Sequence, residues 1–406
     1  MRSPVEGKRI LLGVTGSIAC YKAADLASKL TQAGASVDVV LTKAAERFVG
    51  PLTFQSVTGR QAYTDDELWG TDGHVLHIEL GKSAELVVIA PATANTLAKL
   101  AHGLADNLLS VATLAATCPV LVAPAMDGGM YAHPATQDNL ALLRQRGVEV
   151  IGPVEGHLAS GMEGVGRMVE PLELVGQIRL ILARGGQLAG RKVVVTAGGT
   201  QEPIDPVRTI TNRSSGKQGF ALVQAALDLG SDVTLICGPV CLPTPVGTSR
   251  VDVLTAQEMQ DAVLDAIPGA DALIMAAAVA DFSPQNVTAE KIKKGDGVPE
   301  IVLTPTPDIL ANLASVKSQT GWPRVSVGFA AETRDLLDNA RAKLEAKSLD
   351  MIVANDISAA DAGFGVDTNR VALLYPDGRT ESTTLMGKDE VARLILDRVV
   401  ELVLGG

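Results

Sequence analysis

The chain is short of aromatic side chains. They make up 3% of its 406 residues, against 47% hydrophobic residues overall. Its core must therefore be packed from Ala, Val, Leu and Ile, as in parallel sheets buried on both faces. Cysteine is scarce too: Cys20, Cys118, Cys237 and Cys241 include no CxxC pair, and no histidine stands at zinc-finger spacing. That excludes a disulfide scaffold and a zinc finger and predicts buried thiols in a reducing cytoplasm. Positive charge is in deficit. Lys and Arg number 35 against 46 Asp and Glu, a net charge of −11, which argues against nucleic acid or anionic membrane as a partner. The longest uncharged apolar run, Leu108 to Met126, is interrupted by Pro119 and reads as helix, break and buried strand, not a membrane span. The start, MRSPVEGKRILLGVTG, lacks signal-peptide layout. A G-x-G-x-x-G fingerprint after the first strand is also missing, which disfavours a dinucleotide and leaves a mononucleotide such as FMN open.

What the chain does have is Gly, 40 residues, and Pro, 20, which suits many tight turns. Strand–helix alternation recurs in two halves and predicts two α/β domains with parallel sheets. In the first half, strands are expected at Lys8–Val14, Val37–Leu41, Leu86–Ala90 and Pro119–Ala123. In the second they are expected at Lys192–Thr196, Val233–Cys237, Ala272–Ala276, Val325–Phe329 and Met351–Ala354, with a helix over Gly216–Leu229. Ala183–Gly186 reads as the linker, so the domains are 1–183 and 187–406. Pro284 to Pro307 has poor periodicity and carries Lys291, Lys293 and Lys294, as a functional flap does.

Chemistry concentrates where strands end. The loops Gly13–Ile18, Thr42–Ala45, Pro91–Asn95 and Pro124–Met130 should meet at the carboxyl edge of the first sheet. They are rich in Ser, Thr and Asn and poor in charge, a lining for a phosphate and a planar ring. From Val195 to Ala226 the chain is long, polar and glycine-rich and runs into a helix N-terminus, a seat for phosphate. His74 and His77, beside Asp72, are spaced to share a helix face. They fit a structural pair or a general base better than a metal site, having no third ligand nearby.

The second half resembles the phosphopantothenate–cysteine ligase domain of the bifunctional coenzyme A biosynthesis family. The motifs are TAGGTQEPIDPVRTITNRSSGKQG, GPVCLPTP, AAAVADF (Ala276–Phe282), EKIKK (Glu290–Lys294), TPDIL (Thr306–Leu310), GFAAET (Gly328–Thr333) and AND (Ala354–Asp356). The first half resembles the FMN-dependent phosphopantothenoylcysteine decarboxylase domain through GSIA (Gly16–Ala19), HIEL (His77–Leu80), APATANTLAKLAHGLADNLL, PAM (Pro124–Met126) and GVGRM (Gly164–Met168). The resemblance covers nearly the whole chain. It implies two Rossmann-like domains, an N-terminal flavodoxin-like flavoprotein and a C-terminal ligase.

For the ligase it implies that CTP, with Mg²⁺, activates the carboxylate of 4′-phosphopantothenate as an acyl-cytidylate, which the amino group of cysteine then attacks. Asn212 would hold the acyl-cytidylate and Lys291 would neutralise triphosphate charge. Met275, Ala276, Ala277, Asp281, Pro307, Asp308, Ile309, Leu310, Phe329, Lys343 and Lys347 match nucleotide-site positions. Without the motifs, Lys343 and Lys347 would read as one exposed helix face. For the decarboxylase it implies His77 as base and an FMN site at Gly16, Ser17, Ile18, Thr42, Pro91, Ala92, Thr93 and Asn95. Flavin oxidises the thiol end of the substrate, giving a sink for the electrons of CO₂ loss.

Two positions depart from the family pattern. Asp127 stands where an Asn holds the substrate carboxylate, and Ser160 where a Cys protonates the product. An ionised Asp127 repels a carboxylate unless its pKa is raised or another group takes over. Serine is a far weaker acid than a thiol, and Glu163 is the candidate substitute. A rival reading therefore keeps the ligase and makes the first half a flavin-binding scaffold. A third, a nicotinamide oxidoreductase, lacks its fingerprint. The resemblance also implies a homo-oligomer, in which decarboxylase trimers and ligase dimers close a dodecamer.

Overall fold

The computed structural model describes residues 3–69, 73–293, 300–332, 335–356, 363 and 365–405 (backbone only at 69, 73, 74, 332 and 356). Two compact units divide the chain, Arg2–Leu182 and Ala183–Gly406. Among the described residues no helix is long and apolar enough to cross a membrane.

In the first unit β1 (Arg9–Val14), β2 (Ser36–Leu41), β3 (Ala62–Tyr63), β4 (Leu86–Ala92), β5 (Val120–Pro124) and β6 (Glu149–Val150) form one parallel sheet. Its order is β3-β2-β1-β4-β5-β6. The expected α/β parallel class holds. The flavodoxin-like label implied an order of 2-1-3-4-5, whereas this sheet has the dinucleotide-fold order, because the chain crosses back over β2 and β1 only after β3. Alternation assigns the faces. Ile10, Leu12 and Val14 of β1 enter one core cluster and Leu11 the other. The first helix forms over Cys20–Gln32 because Cys20, Ala23, Leu26, Ala27 and Leu30 fall on one buried face. An exposed hairpin, β7 (Val154–His157) with β8 (Glu163–Arg167), follows the sheet and holds Ser160 in its turn.

The second unit opens with β9 (Lys192–Ala197), then a small hairpin of β10 (Gln201–Pro203) and β11 (Thr209–Thr211). After them come β12 (Asp232–Cys237), β13 (Ser249–Asp252), β14 (Ala272–Met275), β15 (Phe282–Pro284), β16 (Leu303–Pro305), β17 (Val325–Glu332) and β18 (Met351–Asp356). The chain ends with β19 (Thr368–Asn369), β20 (Val371–Leu374), β21 (Thr380–Ser382) and β22 (Met386–Gly387). Eight strands make one sheet in the order β13-β12-β9-β14-β17-β18-β20-β21. Its first six strands are parallel, and β20 and β21 add an antiparallel edge.

The expected flap is rooted in a hairpin, since β15 pairs antiparallel with β16. Lys294, and Thr333 of the GFAAET motif, lie outside the described residues. Helix Pro171–Ala183 runs into the expected linker, Ala183–Gly186, and beyond it Leu188 joins the core of the second unit. The Leu188 amide donates to the Leu229 carbonyl (2.9 Å), and the Leu188 side chain is fully buried.

Gly219, in the first turn of helix Lys217–Asp228, is where that helix touches β9: a Cβ there would lie 2.4 Å from the Ala197 Cβ. Gly219→Ala should therefore lift the helix off the sheet despite alanine's better helix propensity, costing about 1–3 kcal/mol in urea unfolding. A gain in stability would show the contact to be slack.

Candidate active sites

In each sheet the strand order reverses beside the first strand, leaving a crevice beyond the carboxyl ends. In the first unit that crevice lies between β1 and β4. Thr15 ties its walls together. Its hydroxyl donates to the Pro91 carbonyl (2.7 Å) and accepts from the Thr93 amide (3.1 Å), with the residue 1% exposed. A cavity of about 580 Å³ opens here.

Of the expected cofactor residues, Gly16, Ser17, Thr42, Thr93 and Asn95 line this cavity. Pro91 and Ala92 are buried behind it, and Ile18 is exposed. Gly16 has no room for a side chain, because a Cβ would lie 2.5 Å from the Ala44 Cβ. Two helix N-termini reach the cavity. Thr93 caps helix Ala94–His102 through the Thr96 amide, and Asn107 caps helix Leu108–Ala115 through the Ser110 amide (2.9 Å). Ala125, Met126 and Met130 supply an apolar wall. Sequence reasoning missed Asn107; the D-N-x-x-S pattern ahead of an apolar run was its signal. The arrangement suits an anion beside a flat apolar ring.

His77 lies half-buried on helix Gly73–Ser83 and does not line this cavity. Its Nδ1 is buried with no partner among the described residues. Asp72 lies outside the described residues, and of His74 only the backbone is described.

Asp127 and Ser160, far apart in sequence, meet. Asp127 caps helix Gly128–Ala132 by accepting from the Gly129 amide (2.9 Å), and the Ser160 hydroxyl donates to its other oxygen (2.9 Å). The Gly129 amide, then Ser160, hold the Asp127 carboxyl below the usual carboxylate range. The way out offered by the sequence, a raised pKa, is therefore not what the fold provides: the shift favours the Asp127 anion, and Ser160 spends its hydroxyl hydrogen bond on it. Asp127, Tyr131 and Glu163 line a second cavity, of about 570 Å³.

In the second unit the crevice holds a cavity of about 710 Å³. Met275, Ala276, Ala277, Asp281, Pro307, Asp308, Ile309, Leu310, Phe329, Lys343 and Lys347 all line it, as does Asn212. The two lysines are not a solvated face. Lys343 donates to the Phe329 carbonyl (2.9 Å), and Lys347 pairs with Asp308, which caps helix Ile309–Thr320 through the Ala311 amide. Burial raises the Asp308 pKa, but Lys347, the Ala311 amide and Lys343 together hold it below the ordinary value.

Asn212 bridges two loops: its Nδ2 donates to the Ala278 (3.2 Å) and Val279 (3.1 Å) carbonyls. Both amide protons are thereby directed at the protein, leaving Oδ1 for a ligand. Helix Lys217–Asp228 starts at Gly216 with no side-chain cap, and Ser214, Ser215 and Gly216 line the cavity. Bare amides at a helix start are an anion seat.

Lys291 is exposed and outside this lining, but its neighbour is clasped. Buried Asp205 accepts from the amides of Val207 (2.8 Å), Arg208 (2.8 Å) and Ile292 (3.1 Å) and pairs with Arg208, which donates to the Ile292 carbonyl (3.1 Å). Burial opposes ionisation of Asp205, yet those amides and Arg208 push its pKa down to about 2. Its contribution is complete above the ordinary value of 3.8 and is lost as pH falls through about 2. The sequence offered no signal for this clasp. Among the described residues no cluster of three or more His, Cys, Asp or Glu could hold a metal ion.

Residues 2–182 match the family described as Flavoprotein, and residues 188–403 the DNA/pantothenate metabolism flavoprotein C-terminal domain. The coenzyme A biosynthesis bifunctional protein CoaBC of Bacillus subtilis (strain 168) is 46% identical over 401 residues, 98% of each chain. Its namesake from Vibrio vulnificus (strain YJ016) is 45% identical over 403 residues, 98% of this chain and 99% of its own. The crystal structure of the C-terminal domain of a CoaBC protein is 37% identical, covering 54% of this chain and all of that one, with a TM-score of 0.47.

The Asp127–Ser160 bond has a direct readout. Ser160→Ala should move the Asp127 carboxyl pKa up towards 3.8, because one of the hydrogen bonds favouring the anion is gone. An unmoved pKa in a carboxyl-carbon NMR titration would show that the two side chains do not interact in solution.

Proposed function

The chain belongs to the family of bifunctional coenzyme A biosynthesis proteins, and from that premise we propose how its residues divide two reactions. The activities are phosphopantothenate–cysteine ligation and FMN-dependent phosphopantothenoylcysteine decarboxylation. We assign the first to residues 187–406 and the second to residues 1–183.

One observation carries the ligase assignment. Eleven candidate nucleotide residues and Asn212 line a single cavity that also contains an uncapped helix N-terminus. In this reading the phosphopantothenate carboxylate attacks the α-phosphorus of CTP and pyrophosphate leaves. Helix Lys217–Asp228 and Lys291 neutralise the leaving charge. Mg²⁺ would arrive bound to the triphosphate, whose oxygens are its preferred ligands. Asn212 cannot donate to the acyl phosphate without releasing the Ala278–Val279 loop, so it holds the acyl-cytidylate by accepting a hydrogen bond. Asn212→Asp would set a carboxylate against two carbonyls. It should weaken CTP binding as well as the second step.

In the first unit the Thr15–Thr93 crevice fits FMN. Gly16, Ser17 and the capped helix starts at Thr93 and Asn107 would hold its phosphate, and Ala125, Met126 and Met130 would pack on its ring. Bound FMN supplies the oxidant for the substrate thiol and returns the hydride. His77, with Nδ1 unoccupied, takes the thiol proton. Asp127, ionised, steers the substrate carboxylate away from itself, which favours its departure as neutral CO₂. Glu163, on the wall of the neighbouring cavity, takes the place of the missing thiol acid. That His77 stands outside its own chain's cavity supports a homo-oligomer, which we take to be the dodecamer. Four unpaired cysteines support a cytoplasmic setting.

Two experiments test these assignments. Lys291→Gln should slow pyrophosphate release from CTP and phosphopantothenate on the order of 10²-fold. Asp205→Asn should do the same with Lys291 still present, by unclasping Ile292. Wild-type rates in Asp205→Asn would detach the clasp from catalysis. His77→Asn should abolish CO₂ release and flavin bleaching. If instead the wild type releases no CO₂ and the pair Asp127→Asn, Ser160→Cys restores it, the first unit is a flavin-binding scaffold.

A further inference from the structure

The cavity of the second unit has two ends, on opposite faces of the sheet. Helix Lys217–Asp228 packs on helix Lys388–Leu404 and, through Gly219, against Ala197 of β9. Val194 of β9 points the other way, into the cluster that contains Ile309 and Leu313. The lysines and aspartate assigned to the nucleotide, Lys343, Lys347 and Asp308, come from that other face. At the first end the backbone amides that start helix Lys217–Asp228 take leaving charge in the reading above, but the side chains of Gln218, Asn355 and Lys388, which also line the cavity, have no role in it.

This end is built to receive something. Lys388 is 7% exposed, and its ammonium donates to the Gly363 carbonyl (3.0 Å) but forms no ion pair with a described residue. A buried cation with one carbonyl partner is costly until an anion joins it. Burial, then the charge of Lys217, push its pKa down, and the Asp367 carboxylate, which pairs with Lys217, offsets this only in part. In the same cavity, Asn355 is 9% exposed, and its Oδ1 is buried with no partner among the described residues; the Gln218 Oε1 is also buried without a partner among them. Gln218 is held in place by its own Nε2, which donates to the Lys388 carbonyl (3.1 Å). All three residues line the cavity. Two orphan acceptors in one cavity with an under-partnered ammonium match a ligand with a donor and an anion a few bonds apart. An α-amino acid zwitterion is such a ligand. A triphosphate is not, for it offers acceptors only.

We propose that Lys388, Asn355 and Gln218 form the subsite for the amino-acid substrate of the ligase, the α-carboxylate on Lys388 and the amino group on the amide oxygens. This rests on the ligase reading. It accounts for both orphan oxygens, each of which costs about 1–3 kcal/mol while unsatisfied.

The test uses cysteine and cysteamine, which differ by the carboxylate, as acceptors for the full-length enzyme. Pyrophosphate release without acceptor reports the first half-reaction. Lys388→Met should raise KM for cysteine about tenfold or more and leave KM for cysteamine near the wild-type value, erasing discrimination between the two. Gln218→Met, at a half-exposed position that tolerates the change, should raise KM for both acceptors. Neither variant should raise KM for CTP. Undiminished discrimination in Lys388→Met overturns the subsite. So does a raised KM for CTP, which would give these side chains, and not only the helix amides, to the triphosphate. A wild type that releases no pyrophosphate from CTP and phosphopantothenate overturns the ligase reading and the subsite with it.

Discussion

A parallel sheet has both faces covered by helices and only its strand ends open. With so few aromatics, this chain builds its sheets from Val, Leu, Ile and Ala, and such strands are stable only when covered on both sides. Polar chemistry is thereby confined to the carboxyl edge, and within that edge to the point where the order reverses and no crossover spans the gap. Thr15 in one unit and the Asn212 bridge in the other hold those gaps at their working width.

Much of this was legible in the sequence. Buried strands such as Leu86–Ala92 and Met351–Asp356 are runs of β-branched and aliphatic residues that no other element explains. The residues of the second unit's cavity were legible through the motifs of the family resemblance, which alone singled out Lys343 and Lys347. The antiparallel edge of β20 and β21 was not, since short edge strands carry too few residues for a period to show. Nor was the exposed β7–β8 hairpin, whose glycines mask alternation. Asp205, Lys388 and Asn355 were missed for another reason. Each gains its meaning from a partner that only tertiary folding supplies.

The same holds for the two departures from the family pattern. Read singly, Asp127 is a repulsive charge and Ser160 a poor acid. Together they are a hydrogen-bonded pair at a helix start, where a carboxylate is favoured by the exposed amides as well as by the hydroxyl. In the decarboxylase reading proposed above, the substrate would meet a fixed anion with a satisfied hydroxyl beside it, and the proton would come from elsewhere in the wall.

The clasp on Ile292 has a kinetic meaning. Between β15 and β16 the chain makes a long excursion, and a free loop of that size would spread one ammonium over a large volume. Asp205 and Arg208 pin it beside Lys291, so the segment is divided into shorter arcs with less entropy to lose. In the ligase reading proposed above, the pinned lysine is a tethered reagent whose effective concentration at the crevice is set by the covalent chain, not by the solution around it. Salt, which screens free cations, should matter less to it than to a lysine borne on an unpinned loop.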